Sequence, residues 1–397
     1  MAEQTSFPQV GPAQISVALL IGSLALVVLG LQPILLGALI DAHRITMSGI
    51  GLIAMGEIMT VGIGVASSDA ALPVLRYRLI AVIAAVLVAG IDLATPYFGG
   101  DAALALLRCV AGFAEGVLVW VATCTIVRAR EPDRAAAVFV VVQTVIQAVA
   151  AALFAGVVVP HAGWRGAFVA LAALLVLCAL LAAELAPDLA PLAKEADGKL
   201  IWTIGRVLPL AIAFLQMAGL GAIWAYLEPL GRSAGLSAEE AQALVSGVLL
   251  VQVTGGLAAI MLVRRLDVVT TVCAGALVLT AVTAGLYFLP HNAAGRFVVL
   301  CAALAFVWLF LNPFQFGLTF RADGEGRVAV LVPAAQLLGL AFGPFMASLA
   351  VGNDNVRAAA LVGSCCTLAS LALVWGGRKY WLRAQLAPDE VMQGDVT

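Results

Sequence analysis

Residues 14–40 read QISVALLIGSLALVVLGLQPILLGALI, an apolar run without one charged side chain. A helix of about 20 apolar residues covers the hydrocarbon core of a bilayer, so this stretch is read as a membrane crossing. Eleven similar runs follow, at 46–67, 79–98, 102–127, 135–159, 165–186, 206–230, 238–262, 268–289, 296–319, 329–351 and 356–376. The chain is therefore expected to be an all-α membrane protein with 12 transmembrane helices. The first run begins about a dozen residues in, lacks a basic region before it and is too long for a cleavable signal, so it is expected to stay as the first span.

Composition agrees. Of the 397 residues, 63% are hydrophobic and 11% charged, against about 25% charged in an ordinary soluble domain. The formal net charge of −2 gives no basic footprint for nucleic acid, which is excluded as a partner. Cys109, Cys124, Cys178, Cys273, Cys301, Cys365 and Cys366 all fall in apolar runs, where cysteine behaves as a small buried hydrophobe rather than as part of a disulfide framework or metal site. No nucleotide-binding loop, metal-ligand cluster or Ser-His-Asp pattern is present; neither a cofactor nor enzymatic activity is expected.

Twelve spans put both termini on one side. The links on that side hold 15 of the 21 Lys and Arg residues, while the opposite links hold five, Arg44, Arg165, Arg232, Arg296 and Arg357. Arg108 is left over inside the fourth span. Because cytoplasmic loops carry the excess of basic residues, both termini are expected in the cytoplasm, with the protein in the inner membrane. His43, His161 and His291 fall in the outward links, open either to external-pH sensing or to chance placement in polar loops.

Spans 1–6 occupy 14–186 and spans 7–12 occupy 206–376, joined by a polar link, 187–205, that carries Pro187, Pro191, Lys194, Glu195, Asp197 and Lys199. Equal six-helix halves suggest a pseudo-twofold axis and a site at mid-depth between them. Four local sequences then make the chain similar to the major facilitator superfamily over essentially its whole length. Arg108-Cys109-Val110-Ala111-Gly112 followed by small residues resembles the family's fourth-helix pattern, and Arg128-Ala129-Arg130-Glu131-Pro132-Asp133-Arg134 the charged turn after it. Gly163-Trp164-Arg165-Gly166 is similar to the entry to the sixth helix in drug and metabolite exporters, and Arg264-Arg265-Leu266-Asp267 sits where the second half repeats the loop between its second and third helices. The resemblance implies two pseudo-symmetric six-helix bundles and secondary transport. It also implies gating roles for Asp69, Arg76, Arg78, Arg264, Arg265 and Asp267. The chain departs from the pattern where Asp69, Arg76 and Arg78 survive without the usual glycines, and where the Gly-Pro run of the fifth helix is replaced by alanines from Gln147 to Pro160. A similar Gly339-Leu340-Ala341-Phe342-Gly343-Pro344 run stands in span 11 instead.

Ionisable residues inside a span cost about 2.5–3.5 kcal/mol each on insertion scales and are functional candidates for that reason. They are Glu57, Asp92, Arg108, Glu115 and Glu228. Glu115 follows Arg108 by seven residues, two helical turns, which places both on one face about 10 Å apart along the axis, close enough for bias without direct clamping. Desolvation favours a neutral carboxyl, so Glu115 is the first choice for a proton carrier. Glu57, at similar depth in span 2, could share the proton. Arg108 has two readings: a structural ion pair with Asp41 or Asp92, or a fixed cation for an anionic substrate.

In the second half, Gln216, Trp224, Tyr226 and Glu228 of span 7 join Trp308, Asn312 and Gln315 of span 10, with Pro313 read as a helix break beside Asn312. Aromatic faces with amide donors suit a mid-sized, partly apolar ligand, although Trp224 and Tyr226 can equally be read as interfacial anchors. Gln32 beside Pro33, Gln143, Gln147 and Gln336 need partners within the bilayer, and Gly112 with Gly116 and Gly339 with Gly343 permit close helix contact. Pro33, Pro313 and Pro344 are read as hinges.

The leading expectation is a secondary transporter moving a small organic molecule by alternating access, exporting an amphiphilic metabolite or drug in exchange for protons. Proton-coupled uptake of an organic or aromatic acid held by Arg108 is the alternative, and a non-transporting membrane receptor comes after both. The expected partners are a small-molecule substrate, protons and the lipid bilayer, with a monomer the simplest state.

Overall fold

The computed structural model describes residues 11–73, 76–189, 202–323, 328–352 and 355–386. Most of the 187–205 link, with Lys194 and Lys199, falls outside them, as does Arg327.

Among the described residues the chain forms fourteen α-helices: α1 Pro12–Ala25, α2 Val27–Asp41, α3 Met47–Ala71, α4 Tyr77–Ala94, α5 Asp101–Ile126, α6 Pro132–Leu153, α7 Val159–Ala183, α8 Ile204–Ala225, α9 Leu227–Ser233, α10 Ala238–Leu262, α11 Val268–Tyr287, α12 Ala294–Ala322, α13 Val332–Val351 and α14 Arg357–Leu386. Eleven helical stretches are long and apolar enough to cross a membrane. One of them, Arg134–Ala183, has 50 residues, which at 1.5 Å per residue is about 75 Å and enough for two crossings. It is interrupted by a π-helical turn at Phe154–Val158 and by Gly163, whose φ of 64° only glycine adopts without strain. The stretch thus supplies spans 5 and 6, and the twelve expected spans are present.

The helix breaks fall elsewhere than the prolines suggest. Pro33, Pro313 and Pro344 all lie inside continuous helices, α2, α12 and α13, so the expected interruption beside Asn312 does not occur. The first span of each half is broken instead at a non-proline residue: Leu26 (φ −90°, ψ 2°) separates α1 from α2, and Tyr226 (φ −102°, ψ 13°) separates α8 from α9. At Leu26 the carbonyl accepts a 2.7 Å hydrogen bond from Gln147 Nε2 of α6. In a bilayer a backbone carbonyl released from a helix needs such a donor.

The chain divides into two compact units, the first of described residues up to 189 together with 237–250, the second of those from 202 to 236 and from 251 onward. In the first, α2 is buried along nearly its whole length. Gly112 and Gly116 of α5 lie against the backbone of α3 at Glu57 and Val61, where a Cβ would collide with main-chain oxygen, so the two helices cross at backbone distance. In the second, Gly339 and Gly343 of α13 meet the carbonyls of Phe214 and Ala218 on α8 in the same way. Ile212, Val272, Phe314 and Leu318 form a buried core among α8, α11 and α12. Large apolar side chains such as Leu79, Ile83, Leu106, Ile260 and Leu349 point outward, as a lipid-facing surface requires.

Candidate functional site

Three helices of the first unit, α3, α4 and α5, bring one cation and three acids together in its interior. Arg108 of α5 donates from Nε to Glu57 Oε1 of α3 at 2.5 Å, from Nη1 to Asp92 Oδ1 of α4 at 2.5 Å, and from Nη2 to Glu115 Oε1 of α5 at 3.2 Å. Gln32 of α2 donates from Nε2 to the other oxygen of Glu57 at 3.0 Å, and the ring of Phe168 from α7 stands 6.0 Å from the guanidinium carbon. None of the four charged residues is more than 3% exposed. The planar fork of arginine permits this threefold pairing, which an ammonium could not match.

This geometry corrects one expectation and decides another. Arg108 and Glu115 are in direct contact rather than held apart along the helix, because the long arginine side chain covers the two turns between them. Asp92 is the acid that meets Arg108 from span 3. Of the two partners read for Arg108, Asp41 and Asp92, it is Asp92 that pairs with it, and it joins the cluster with Glu57 and Glu115. With all carboxyls ionised the cluster carries a net charge of −2. Asp92 Oδ2 and Glu115 Oε2 are buried and meet no donor, so each offers a position for a proton. A small void lined by Gln32, Glu57, Thr95, Arg108 and Phe168 offers about 10 Å³, the size of one water.

In the second unit, amides form a chain across three helices. Gln315 of α12 donates to Gln216 of α8 at 2.6 Å, and Gln336 of α13 donates to Gln315 at 2.6 Å. Trp224 and Trp308 meet edge to face with centroids 5.8 Å apart. Trp224 is 5% exposed and Tyr226 fully buried, so neither is an interfacial anchor. Tyr226 forms the α8–α9 break, and Glu228, two residues beyond it, accepts from Arg232 Nη1 at 3.4 Å. Asn312 is half-buried.

The expected gating residues are only partly brought together. Asp69 Oδ1 accepts from Trp120 Nε1 at 3.4 Å, while Arg78 Nε donates to the carbonyl of Leu185 at 2.5 Å and Arg76 is exposed. Beside them, Tyr77 bonds the hydroxyl of Thr125 and the carbonyl of Val121, tying α4 to α5. In the second unit Asp267 caps α11 through the Thr270 N–H at 2.9 Å and pairs with Arg321 at 2.7 Å, whereas Arg264 and Arg265 are exposed. The Thr270 N–H, with help from Arg321, holds the Asp267 carboxyl below the usual aspartate range. A second pair, which sequence reading did not single out, joins Arg206 to buried Asp323 at 2.8 Å; Asp323 also accepts from the Val328 N–H at 3.1 Å. No group of histidine, cysteine or acidic residues able to hold a metal is present among the described residues.

No protein-family description matches the chain, and no curated protein matches it in sequence. Solved structures do match its fold. The nucleoside transporter NupG aligns with a TM-score of 0.74 at 12% identity, over 92% of this chain and 99% of its own. A D-xylose–proton symporter aligns with a TM-score of 0.66 at 13% identity, over 91% and 96%. A bacterial homologue of the human lysosomal transporter Spinster, in an inward-facing and occupied conformation, aligns with a TM-score of 0.62 at 17% identity, over 94% and 96%.

Proposed function

From the major facilitator fold of this chain, we propose that it is a secondary transporter, moving a small organic molecule by alternating access and coupled to protons through Glu115 and Glu57. The observation that carries this reading is the buried cluster of three carboxyls on Arg108. A fully ionised cluster would leave two uncompensated negative charges in a low-dielectric interior, at a cost of several kcal/mol per ion. Taking up or releasing protons changes that charge and thereby the relative stability of the inward- and outward-open states. Asp92 joins the two glutamates as a third titratable partner.

Export of an amphiphilic compound in exchange for protons is the direction favoured. The nitrogens of Arg108 are engaged by the chain's own acids and the space beside them is about the size of one water, too small for a ligand, which argues against Arg108 as the anchor of an organic acid. Substrate contact is assigned to the amide and aromatic groups of the second unit, Gln216, Trp224, Tyr226, Glu228, Trp308, Asn312 and Gln315, with Gln32 reaching Glu57 from the first. Gating is assigned to Asp69, Arg76, Arg78, Arg264, Arg265 and Asp267. Uptake by symport is the second reading, favoured by the likeness to a D-xylose–proton symporter. The inner membrane, with both termini cytoplasmic, is the proposed location. A receptor role is disfavoured because the links between described helices are short.

The test is the internal pH of proteoliposomes as a panel of organic acids, sugars and lipophilic cations is added outside. Internal alkalinisation with a cation or neutral compound, as internal protons leave in exchange, supports the exchange chemistry proposed here, internal acidification supports symport, and no change with any compound removes proton coupling.

A further inference from the structure

The second unit carries an apolar groove that the transport reading does not use. It runs between the first turns of α11 and the last membrane-facing turns of α14, lined by Val269, Cys273, Leu277, Leu368, Leu371 and Trp375, with a volume of about 730 Å³. Pockets of roughly 300–1,000 Å³ suit extended or drug-sized ligands. Trp375 is 68% exposed and Leu368 56%, so the groove opens to the outside of the unit. Its residues belong to stretches that cross the bilayer, which makes its surroundings hydrocarbon.

The charge at one end of the groove is one-sided. The link leading into α11 carries Arg264 and Arg265, both exposed, while its single acid, Asp267, is already paired with Arg321. Past the other wall, the sequence after Gly377 continues with Arg378, Lys379 and Arg383 and no acid before Asp389. An apolar groove whose α11 wall begins a few residues after the exposed Arg264 and Arg265 is complementary to a molecule with a hydrocarbon tail and an anionic head. A second copy of the chain docked by twofold symmetry would bring the same cations towards each other, which disfavours it as the occupant.

We infer that the α11–α14 groove is a binding site for an anionic phospholipid, with an acyl chain along Cys273, Leu371 and Trp375 and the headgroup phosphate at Arg264 and Arg265. The aromatic ring of Trp375 borders the chain and reports on it.

The test reconstitutes the full chain in bilayers containing brominated phosphatidylglycerol or brominated phosphatidylcholine and measures tryptophan quenching. The Trp375 signal is taken as the difference between wild type and Trp375→Phe. One basic residue near the membrane surface contributes about 1 kcal/mol, a factor of about five in affinity. The Trp375 signal is therefore expected to half-quench at a phosphatidylglycerol fraction about fivefold or more below that for phosphatidylcholine. The preference should shrink in the Arg264→Gln/Arg265→Gln double variant and at high salt. Equal quenching by the two lipids would reduce the groove to ordinary annular contact, and a preference unchanged in the double variant would place the headgroup elsewhere; either result overturns the proposal. Absence of quenching by both lipids, with dimers in solution, would assign the groove to a second copy and overturn it as well.

Discussion

Arg108 is the residue on which the first unit's buried carboxyl cluster depends, and substitutions around it are expected to separate stability from function. Arg108→Ala would leave Glu57, Asp92 and Glu115 buried without a cation. Removing one partner of a buried pair costs about 3–5 kcal/mol, so this variant is expected to lose most of its thermal stability, measured as the unfolding midpoint of purified protein in detergent. Glu115→Gln keeps the shape and one hydrogen-bond acceptor. It is expected to unfold within a few degrees of wild type while losing the pH dependence of transport. Sequence alone singled out Glu57, Arg108 and Glu115, because ionisable residues are rare in apolar spans. It did not reveal that all three touch, because spacing along a helix gives the position of Cα atoms but not the reach of an arginine side chain. Asp92 was one of two acids read as partners of Arg108, yet the choice of it over Asp41 depends on how α4 packs against α5, which no local pattern encodes.

Helices carry the next level of the account. Glycines at 112 and 116 permit α5 to approach α3 at backbone distance. Gly116→Val is therefore expected to push the helices apart and abolish recovery of folded, monodisperse protein on size-exclusion chromatography, whereas Gly62→Ala, with open space at its Cβ, is expected to leave it unchanged. The carbonyl at the Leu26 break accepts from Gln147 at 2.7 Å and from the Leu29 N–H at 3.2 Å, and Gln147→Leu removes the shorter bond. The expected destabilisation is about 1–2 kcal/mol, the range for a buried hydrogen bond within a membrane, read by thermal unfolding. At the start of α11, the Asp267 carboxyl is held below its ordinary value of 3.8. Its contribution to stability is thus fully present above that pH and fades as the pH falls through the lower folded value, so Asp267→Asn should be weaker than wild type at neutral pH and converge with it in strong acid. Span existence was legible from hydropathy alone. The breaks were not: prolines marked positions where the helices run on, whereas the actual interruptions fall at Leu26 and Tyr226, neither of which carries a helix-breaking side chain.

At the scale of the molecule, the alternation of apolar runs and the one-sided distribution of Lys and Arg made the twelve-span architecture readable before any contact was known. The 50-residue stretch at Arg134–Ala183 shows why the count succeeded: Gly163, quoted in the sequence for its motif, is also where the backbone leaves the helical region. The fifteen-to-five charge asymmetry predicts that green fluorescent protein fused after Thr397 fluoresces in cells and that alkaline phosphatase inserted at Gly99 is active; the reverse pattern would invert the topology. The central claim is that the Glu57–Asp92–Arg108–Glu115 cluster holds an exchangeable proton. It is tested most directly, and without knowledge of the substrate, by pH-difference infrared spectroscopy of the protein in lipid. The account predicts a protonated-carboxyl stretch that titrates in wild type and is diminished in both Glu115→Gln and Glu57→Gln. A spectrum with no titrating carboxyl band, or one unaltered in both variants, would contradict it.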